Sequence, residues 1–431
     1  MPRSRSEKSD SPLSSLGKRT EAPPISWLMS EALKQPNLIS LAAGFTDNKT
    51  LPVEETREIL SQLLASPSKA QSALQYGTAA GDERLKKATT SRLAILDSES
   101  KEDYPADNLI ITNGSQQFLY MLTEALCDPG DIIIVEDPTY FVYLSIMQSH
   151  GIEARGVRME STGLSIQSLE QTLNALAESG DLHRVKFLYS VTYFQNPTGI
   201  TTSYEKKIKA LELLRSFEKK AGHPIYYVED AAYRELSFPE FSPPPSALKR
   251  HEYRDRTIYT STYSKPYATG IRVGFGYLPR ALHTVVMRIK GNHDFGTAHL
   301  LQHILVAAIE SDKFEAHVAK IGRSYHRKAT VMLSAIQQYF PQSVQITPPN
   351  GGLCIWATLP QRIKTGPKSA FFKESIRQGV LFVPGEFAFA NDPTRPKPRS
   401  SMRLSYGSGT KSQIQTGIKI LGSLLHDRID N

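Results

Sequence analysis

The sequence predicts an α/β protein: a three-layer α/β/α domain built on a mostly parallel sheet, followed by a smaller α+β domain. Three observations lead there. Over some 200 residues, short apolar runs alternate with amphipathic stretches, the pattern of strands joined by crossover helices. After Leu278-Pro279 that alternation gives way to one long helical stretch and a few short strands. The chain also has 431 residues, more than the roughly 250 to 300 that a single core holds.

Taken in order, residues 1–24 are rich in Ser, Lys and Arg, end in Pro23-Pro24 and contain no apolar stretch, so they read as a disordered tail. Glu7, Asp10 and Glu21 argue against a secretory or transit signal. Residues 25–70 are expected to serve the small domain: Trp27, Leu28, Met29, Ala32 and Leu33 suggest a short helix, 38–45 runs extended into a glycine turn at Gly44, and 54–64 is amphipathic. The large domain is expected over 71–310. It opens with a glycine-bracketed loop, Gln75 to Gly81, and a helix through Leu85, Ala88 and Leu93. Strands are expected at 109–112, 132–136, 185–190, 225–229, 257–259 and 273–277, with helices at 116–127, 141–149 and 204–217. The C-terminal domain, 311–431, carries one long helix over 312–340, strands at 353–356, 381–383 and 402–404, and helices at 370–378 and 412–425.

Apolar residues make up 40% of the chain and charged residues 22%, an ordinary globular composition. Apolar runs such as Ile132-Ile133-Ile134-Val135 are strand length, well short of the roughly 20 residues that span a bilayer, so no membrane partner is expected. Cys127 and Cys354 lie in apolar surroundings without ligand-like spacing. They argue against a disulfide framework and a zinc site, so no metal and a reducing, cytoplasmic setting are expected. The net charge of +8 invites a nucleic-acid partner, but much of the excess sits in the tail and in the loop Arg395, Lys397, Arg399. Diffuse positive charge serves anionic metabolites equally well, and no nucleic-acid partner is expected.

In a mostly parallel sheet, ligands collect at the carboxyl ends of the strands, and five clusters carry chemistry. Thr262-Tyr263-Ser264-Lys265 and Gly270-Ile271-Arg272 set an amine, hydroxyls and a guanidinium into one turn between two strands. An ammonium shielded by aromatic rings near other cations loses part of its preference for the charged form and can act as a nucleophile; a solvated loop lysine is the plain alternative. Gly114-Ser115-Gln116 hands a strand to a helix whose free N–H groups suit an anion, or is an ordinary serine cap. Asn196-Pro197-Thr198-Gly199 is a turn that can aim the Asn196 amide into the crevice. Asp230, in Asp230-Ala231-Ala232-Tyr233, leaves an apolar strand at its carboxyl end to cap a turn or meet a cation. Arg403, inside a short apolar strand, requires an anionic partner, from the protein or from a substrate.

In this order, with Asn196, Asp230 and Lys265 spaced 34 and 35 residues apart, these clusters resemble the fold type I pyridoxal-phosphate enzymes, and within them the class I/II aminotransferases of the aminoadipate, kynurenine and aromatic branch. The resemblance covers roughly residues 25–428. It implies an aspartate aminotransferase-like fold with pyridoxal 5′-phosphate bound to Lys265 as a Schiff base, and Asp230 paired with the pyridine nitrogen. Asn196 and Tyr233 are implied on the phenolic oxygen and Tyr140 against the ring. Gly114, Ser115, Gln116, Thr262, Ser264 and Arg272 are implied around the phosphate, with Tyr76 reaching in from the partner of a homodimer with shared active sites. Arg403 is implied as the clamp on the substrate α-carboxylate, with Gly44 and Asn196 nearby.

The expected activity is amino transfer between an α-amino acid and a 2-oxo acid, 2-oxoglutarate, 2-aminoadipate or aromatic substrates among them. The alternative is a lyase or carbon–carbon bond-forming enzyme on the same scaffold. A regulator with an aminotransferase-like effector domain needs a DNA-binding domain ahead of the fold, and the 24-residue tail leaves no room for one. Two further expectations concern the substrate. The loop Arg395, Lys397, Arg399 suggests that one substrate is acidic, and His293 and Asp294 either reach a substrate side chain or cap a helix amino terminus.

Overall fold

The computed structural model describes residues 12–35, 37–42 and 44–429. Residues 15–97 supply α1 (Ser15–Arg19), α2 (Pro24–Lys34), β1 (Ile39–Ser40), α3 (Val53–Ala65), α4 (Pro67–Leu74) and α5 (Glu83–Asp97) ahead of the main sheet. The sheet is then laid down as β2 (Leu109–Thr112), α6 (Gly114–Leu126), β3 (Ile132–Asp137), α7 (Phe141–His150), β4 (Glu153–Glu160), β5 (Gly163–Leu164), α8 (Ile166–Glu178), β6 (Val185–Val191), α9 (Tyr204–Ala221), β7 (Tyr226–Asp230), β8 (Thr257–Thr262) and β9 (Gly274–Tyr277). Its strand order is β2-β9-β8-β7-β6-β3-β4-β5. Pairing is parallel from β8 through β4, while β9 runs antiparallel to both β2 and β8.

Strand residues alternate between the two faces, and the cores follow that alternation. Ile133 and Val135 bury with Phe118 of α6, Met147 of α7 and α10 (Arg280–His293) on one face. Ile132 and Ile134 bury with Leu169 of α8 and Leu211 of α9 on the other. Farther along that second face, Ile111 and Tyr259 meet Leu85 of α5 and Ile304 of α11 (His299–Glu310), which completes three layers.

The next helix, α12 (Lys313–Tyr339), ties this body to a smaller one. Its Phe314 packs with Tyr263 and Tyr267, whereas Ile321, Tyr325 and Met332 belong to the core beneath the second sheet. That sheet, ordered β10-β11-β14-β13, uses β10 (Gln345–Thr347), β11 (Cys354–Thr358), β13 (Val383–Pro384) and β14 (Ser401–Ser405). Around it pack α13 (Ala370–Arg377), β12 (Val380–Leu381) and α14 (Lys411–Ile429). At Phe382 the chain changes partners, since β12 pairs with β1 and β13 with β14.

Three expectations change here. The tail is placed from residue 12: α1 lies on α7, with Arg19 Nε donating to Ser149 O (3.2 Å) and Gln148 Nε2 donating to Arg19 O (2.5 Å). The rest of the expected disordered tail, residues 1–11, lies outside the described residues. Residues 25–70, expected to serve the small domain as one segment, divide: Leu28 is in the small core, but Ile59 of α3 buries with Leu85 and Ile304 beside the main sheet. Finally, α10 occupies a stretch with no expected element, and it does so although its Gly291 and Asn292 are poor helix formers. Leu282, Val286 and Lys290, buried at four-residue intervals, hold it against the sheet.

Candidate active site

An anion cradle forms where three strand ends meet. After β2 the chain turns at Gly114, with φ +73°, directly into α6, and no side chain caps that helix. The N–H groups of Gly114, Ser115 and Gln116 therefore lack intrahelical acceptors and point outward with the positive helix end. After β8, Ser264 N–H donates to Thr262 Oγ1 (3.1 Å) and Arg272 Nη1 donates to Ser264 Oγ (3.1 Å). Because β9 runs opposite to β8, the chain reaches its amino end beside the α6 amino end, and this brings the exposed Arg272 guanidinium into the cradle. The approach leaves no room for side chains: a Cβ on Gly114 would lie 2.9 Å from Arg272 Nη2, and one on Gly274 would lie 2.5 Å from Ser115 N.

Beside the cradle stand an amine and a carboxylate. Lys265 Nζ donates to Gly44 O at 2.8 Å, and burial, then the charges of Arg403 and Arg272, push the amine down to about 8. Asp230, the last residue of β7, accepts from Tyr189 OH (2.7 Å) and Ala232 N (3.1 Å). Burial pushes its carboxyl up to about 6, against those two hydrogen bonds. Among the described residues Asp230 has no cationic partner. Tyr140, at the amino end of α7, lines the same cleft, and burial followed by the Asp230 charge holds its phenol up at about 12.

Across the cleft, β14 carries Arg403 between β11 and β13, paired with Trp356 and Val383. The residue is only 4% exposed. Its Nη1 donates to Asn196 Oδ1 (2.7 Å), its Nη2 donates to Ala42 O (2.6 Å), and its buried Nε has no partner. Asn196 Nδ2 in turn donates to Tyr233 OH at 3.1 Å. No carboxylate of the described residues pairs with Arg403, so its desolvated charge is met by two neutral oxygens and awaits an anion. The cleft holds about 510 Å³, and Ile25, Phe45, Phe141, Val142 and Val191 give it an apolar wall.

Thus Gly44, Gly114, Ser115, Gln116, Tyr140, Asn196, Asp230, Tyr233, Thr262, Ser264, Lys265, Arg272 and Arg403 line one cleft. Tyr76 does not; it is 82% exposed and packs edge-on against Phe295. Two further expectations are corrected. Asp294 ends α10 instead of capping a helix start, and its carboxylate is engaged by Lys290 Nζ, Asn113 Nδ2 and Gln117 Nε2, while His293 pairs with Glu124. The basic loop does not reach the cleft, since Arg395 pairs with Asp137 and Lys397 donates to Asn391.

Sequence reasoning missed Glu136 and Gln195. Buried Glu136 accepts from Ser190 Oγ, Val191 N and Gln195 Nε2, and Gln195 Oε1 accepts from Thr198 N, so the pair braces the Asn196 turn from below. Burial pushes the Glu136 carboxyl up to about 7. The available signal was positional: Glu136 follows an apolar strand run near its carboxyl end, much as Asp230 does.

These residues fit pyridoxal 5′-phosphate on observations of the cleft itself. A glycine-lined cradle of free N–H groups, hydroxyls and a guanidinium suits a phosphate. An unpaired buried carboxylate suits a protonated ring nitrogen, and an amine held near neutrality suits a carbonyl carbon.

Comparison with known proteins agrees. The family described as aminotransferase class I and II matches residues 36–421. An aromatic-amino-acid aminotransferase of Thermococcus litoralis is 31% identical over 91% of this chain and 89% of its own length. A 2-aminoadipate transaminase of Thermus thermophilus is 29% identical over 91% of each. The crystal structure of a Pyrococcus horikoshii kynurenine aminotransferase, in complex with PMP, superposes with a TM-score of 0.87 at 28% identity, covering 97% of both chains.

Proposed function

The chain belongs to the family of class I and II aminotransferases, and on that footing we propose how its cleft performs amino transfer and on which substrates. Pyridoxal 5′-phosphate would be held by Lys265 at its carbonyl carbon and by Asp230 at its ring nitrogen. Asn196 and Tyr233 would hold its phenolic oxygen, Tyr140 its ring face, and Gly114, Ser115, Gln116, Thr262, Ser264 and Arg272 its phosphate. When bound, the cofactor supplies an electron sink for the charge left when the substrate Cα–H bond breaks.

The remaining work falls to the protein. Arg403 grips the substrate α-carboxylate with its planar fork and fixes Cα on the side of the cleft that holds Lys265. Lys265, near neutrality, would take the Cα proton as general base and, once charged, could give it back as general acid. Asp230 would be ionised beside a cationic ring nitrogen and would keep such a nitrogen protonated. Glu136 and Gln195 keep the Asn196 turn in place while Arg403 exchanges partners.

The donor substrate carries an apolar or aromatic side chain. One observation carries this: the cations lining the cleft are Lys265, Arg272 and Arg403, each with a task above, and the remaining wall is Ile25, Phe45, Phe141, Val142 and Val191. Among the described residues no further cation lines the cleft to meet a side-chain carboxylate, which favours an apolar donor over the acidic substrate expected from the basic loop. The names of relatives that act on aromatic amino acids or kynurenine support this reading, while the 2-aminoadipate transaminase supports an acidic one, and none of those names favours a lyase or bond-forming reaction. The test is a donor panel with one fixed 2-oxo acid. Phenylalanine, tyrosine or leucine should exceed alanine in kcat/KM by at least about 10- to 200-fold, the range for a single methylene in an apolar pocket; preference for aspartate or glutamate would refute it.

The exposed pair Tyr76 and Phe295 supports a homodimer in which each Tyr76 completes the partner's phosphate site.

A further inference from the structure

Two histidines of α11 and the residue that caps α5 form a second constellation outside the cleft. His299 and His303 stand one turn apart, so both imidazoles project from one face of α11 toward Asp82. His299 Nε2 lies 3.5 Å and His303 Nε2 3.8 Å from Asp82 Oδ2, and ligand atoms of all three residues lie within 4.8 Å of one another. These separations are long for charge-assisted hydrogen bonds, which run about 2.7–2.9 Å. They match ligands that share one tetrahedral zinc ion, which at bond lengths of about 2.0–2.2 Å stand roughly 3.4 Å apart.

The protons point the same way. His299 Nδ1 faces the carbonyl oxygens of Ser72 (3.1 Å) and Gln75 (3.2 Å), so Nδ1 carries a proton and Nε2 is left to present a lone pair to Asp82. His303 Nε2 is buried without a hydrogen-bond partner. Asp82 spends Oδ1 on the Leu85 N–H (3.0 Å) and keeps Oδ2 toward the two rings. A doubly protonated His299 would satisfy Asp82 but leave His303 Nε2 orphaned, whereas a cation satisfies all three atoms. The carbonyls behind His299 are acceptors of the kind that orient a metal-bound imidazole.

We propose that Asp82, His299 and His303 bind a divalent transition metal, zinc in the first instance, with a fourth position open to water, and that this ion fastens the 75–81 loop to α5 and α11. The loop runs directly over the ligand: a Cβ on Gly77 would lie 2.8 Å from His299 Cδ2. The side chains keep 13 to 14% exposure, enough for an ion to enter. The expectation of no metal, drawn from the cysteines, did not test histidines and carboxylates brought together from positions 82, 299 and 303.

The test uses the full-length holoenzyme, stripped with chelator, loaded with zinc chloride, desalted and measured for zinc by mass spectrometry. Wild type should retain one zinc per chain more than either Asp82→Asn, which keeps the cap oxygen, or His303→Gln, which keeps most of the side-chain volume. Zinc should raise the Tm of wild type and leave both variants unmoved. His251→Gln, aimed at a second group in which exposed His251 faces Glu99 and Asp103 and Glu99 is already paired with Lys249, should retain as much zinc as wild type. Equal zinc in wild type and both variants, or no zinc retained by wild type with its native circular dichroism intact, would overturn the proposal.

Discussion

Lys265 owes its reactivity to its surroundings. Burial and two guanidinium groups bring the amine from 10.5 to about 8, so it is half neutral near the pH at which an ordinary lysine is almost wholly charged. The sign fixes a prediction: the neutral amine is the nucleophile, so the rate at which cofactor-free protein takes up pyridoxal 5′-phosphate should rise with pH and level off above about 8. In Arg403→Gln one depressing charge is gone and the inflection should move to higher pH. Growth of the visible absorption band reads both; a rate that climbs to pH 10 in wild type contradicts the account. Arg403→Lys removes the fork that reaches Asn196 and Ala42 together. It should raise KM for the amino acid by about 10- to 150-fold, the equivalent of about 1.5–3 kcal/mol for a hydrogen bond to a charged group, with the smaller effect on kcat in steady-state assays. At this scale the sequence was most legible where side-chain chemistry constrained it. An arginine inside an apolar strand and a lysine in an aromatic-flanked turn announce a need for partners, and the cleft brings them together. Glu136 was passed over because its partners, Ser190 and Gln195, are 54 and 59 residues away, and its place after an apolar run is its one local mark.

At the scale of elements, the cradle depends on how closely β9 approaches α6. A methyl group at position 274 would press on Ser115 N, and one at 276 would enter the Phe118 ring. Gly274→Ala should therefore cost about 1–3 kcal/mol as an overpacked site and weaken cofactor binding as well, whereas Gly276→Ala, farther from the cradle, should destabilise without a selective loss of cofactor affinity. Urea unfolding and cofactor titration of the two variants separate these effects. The reversed strand is also what places Arg272 beside Ser115. Elements with a clean period were readable in the sequence, including α9, α12, α14 and every parallel strand with a continuous apolar run. β4 was not, because its Glu153-Ala154-Arg155-Gly156 start is polar near the sheet's edge, where Arg155 pairs with Glu153 and Asp392. α10 was not assigned from sequence; it carries a Gly-Asn pair of weak helix propensity that tertiary packing overrides.

At the scale of the whole molecule, α12 couples two bodies by burying its first turn in one and its middle in the other, and the cleft lies where both meet. Asp230 ends a strand of the large sheet, Lys265 lies in the turn that follows another, and Arg403 comes from the small sheet, so substrate binding and cofactor chemistry are divided between the two bodies. The dimer reading gives a prediction of its own. Tyr76→Ala and Lys265→Ala should each be impaired, yet mixing them under subunit exchange should give activity above either alone, because one mixed site has Lys265 from the first chain and Tyr76 from the second. No gain in a mixture shown to contain exchanged subunits would place Tyr76 outside the partner's site. The alternation of strands and helices made the architecture legible from sequence, whereas the pairing of distant surfaces, such as Asp82 with His299 or α1 with α7, carries no local pattern and emerged only from the fold.

The most direct test of the central claim is to follow the absorption of the purified holoenzyme while phenylalanine is added without any 2-oxo acid, with product analysis at the end. Wild type should lose the visible band of its Lys265-bound cofactor and release one phenylpyruvate per active site, while Lys265→Ala releases none on that timescale. Release of ammonia or carbon dioxide without phenylpyruvate, or unchanged turnover in Lys265→Ala, would contradict it.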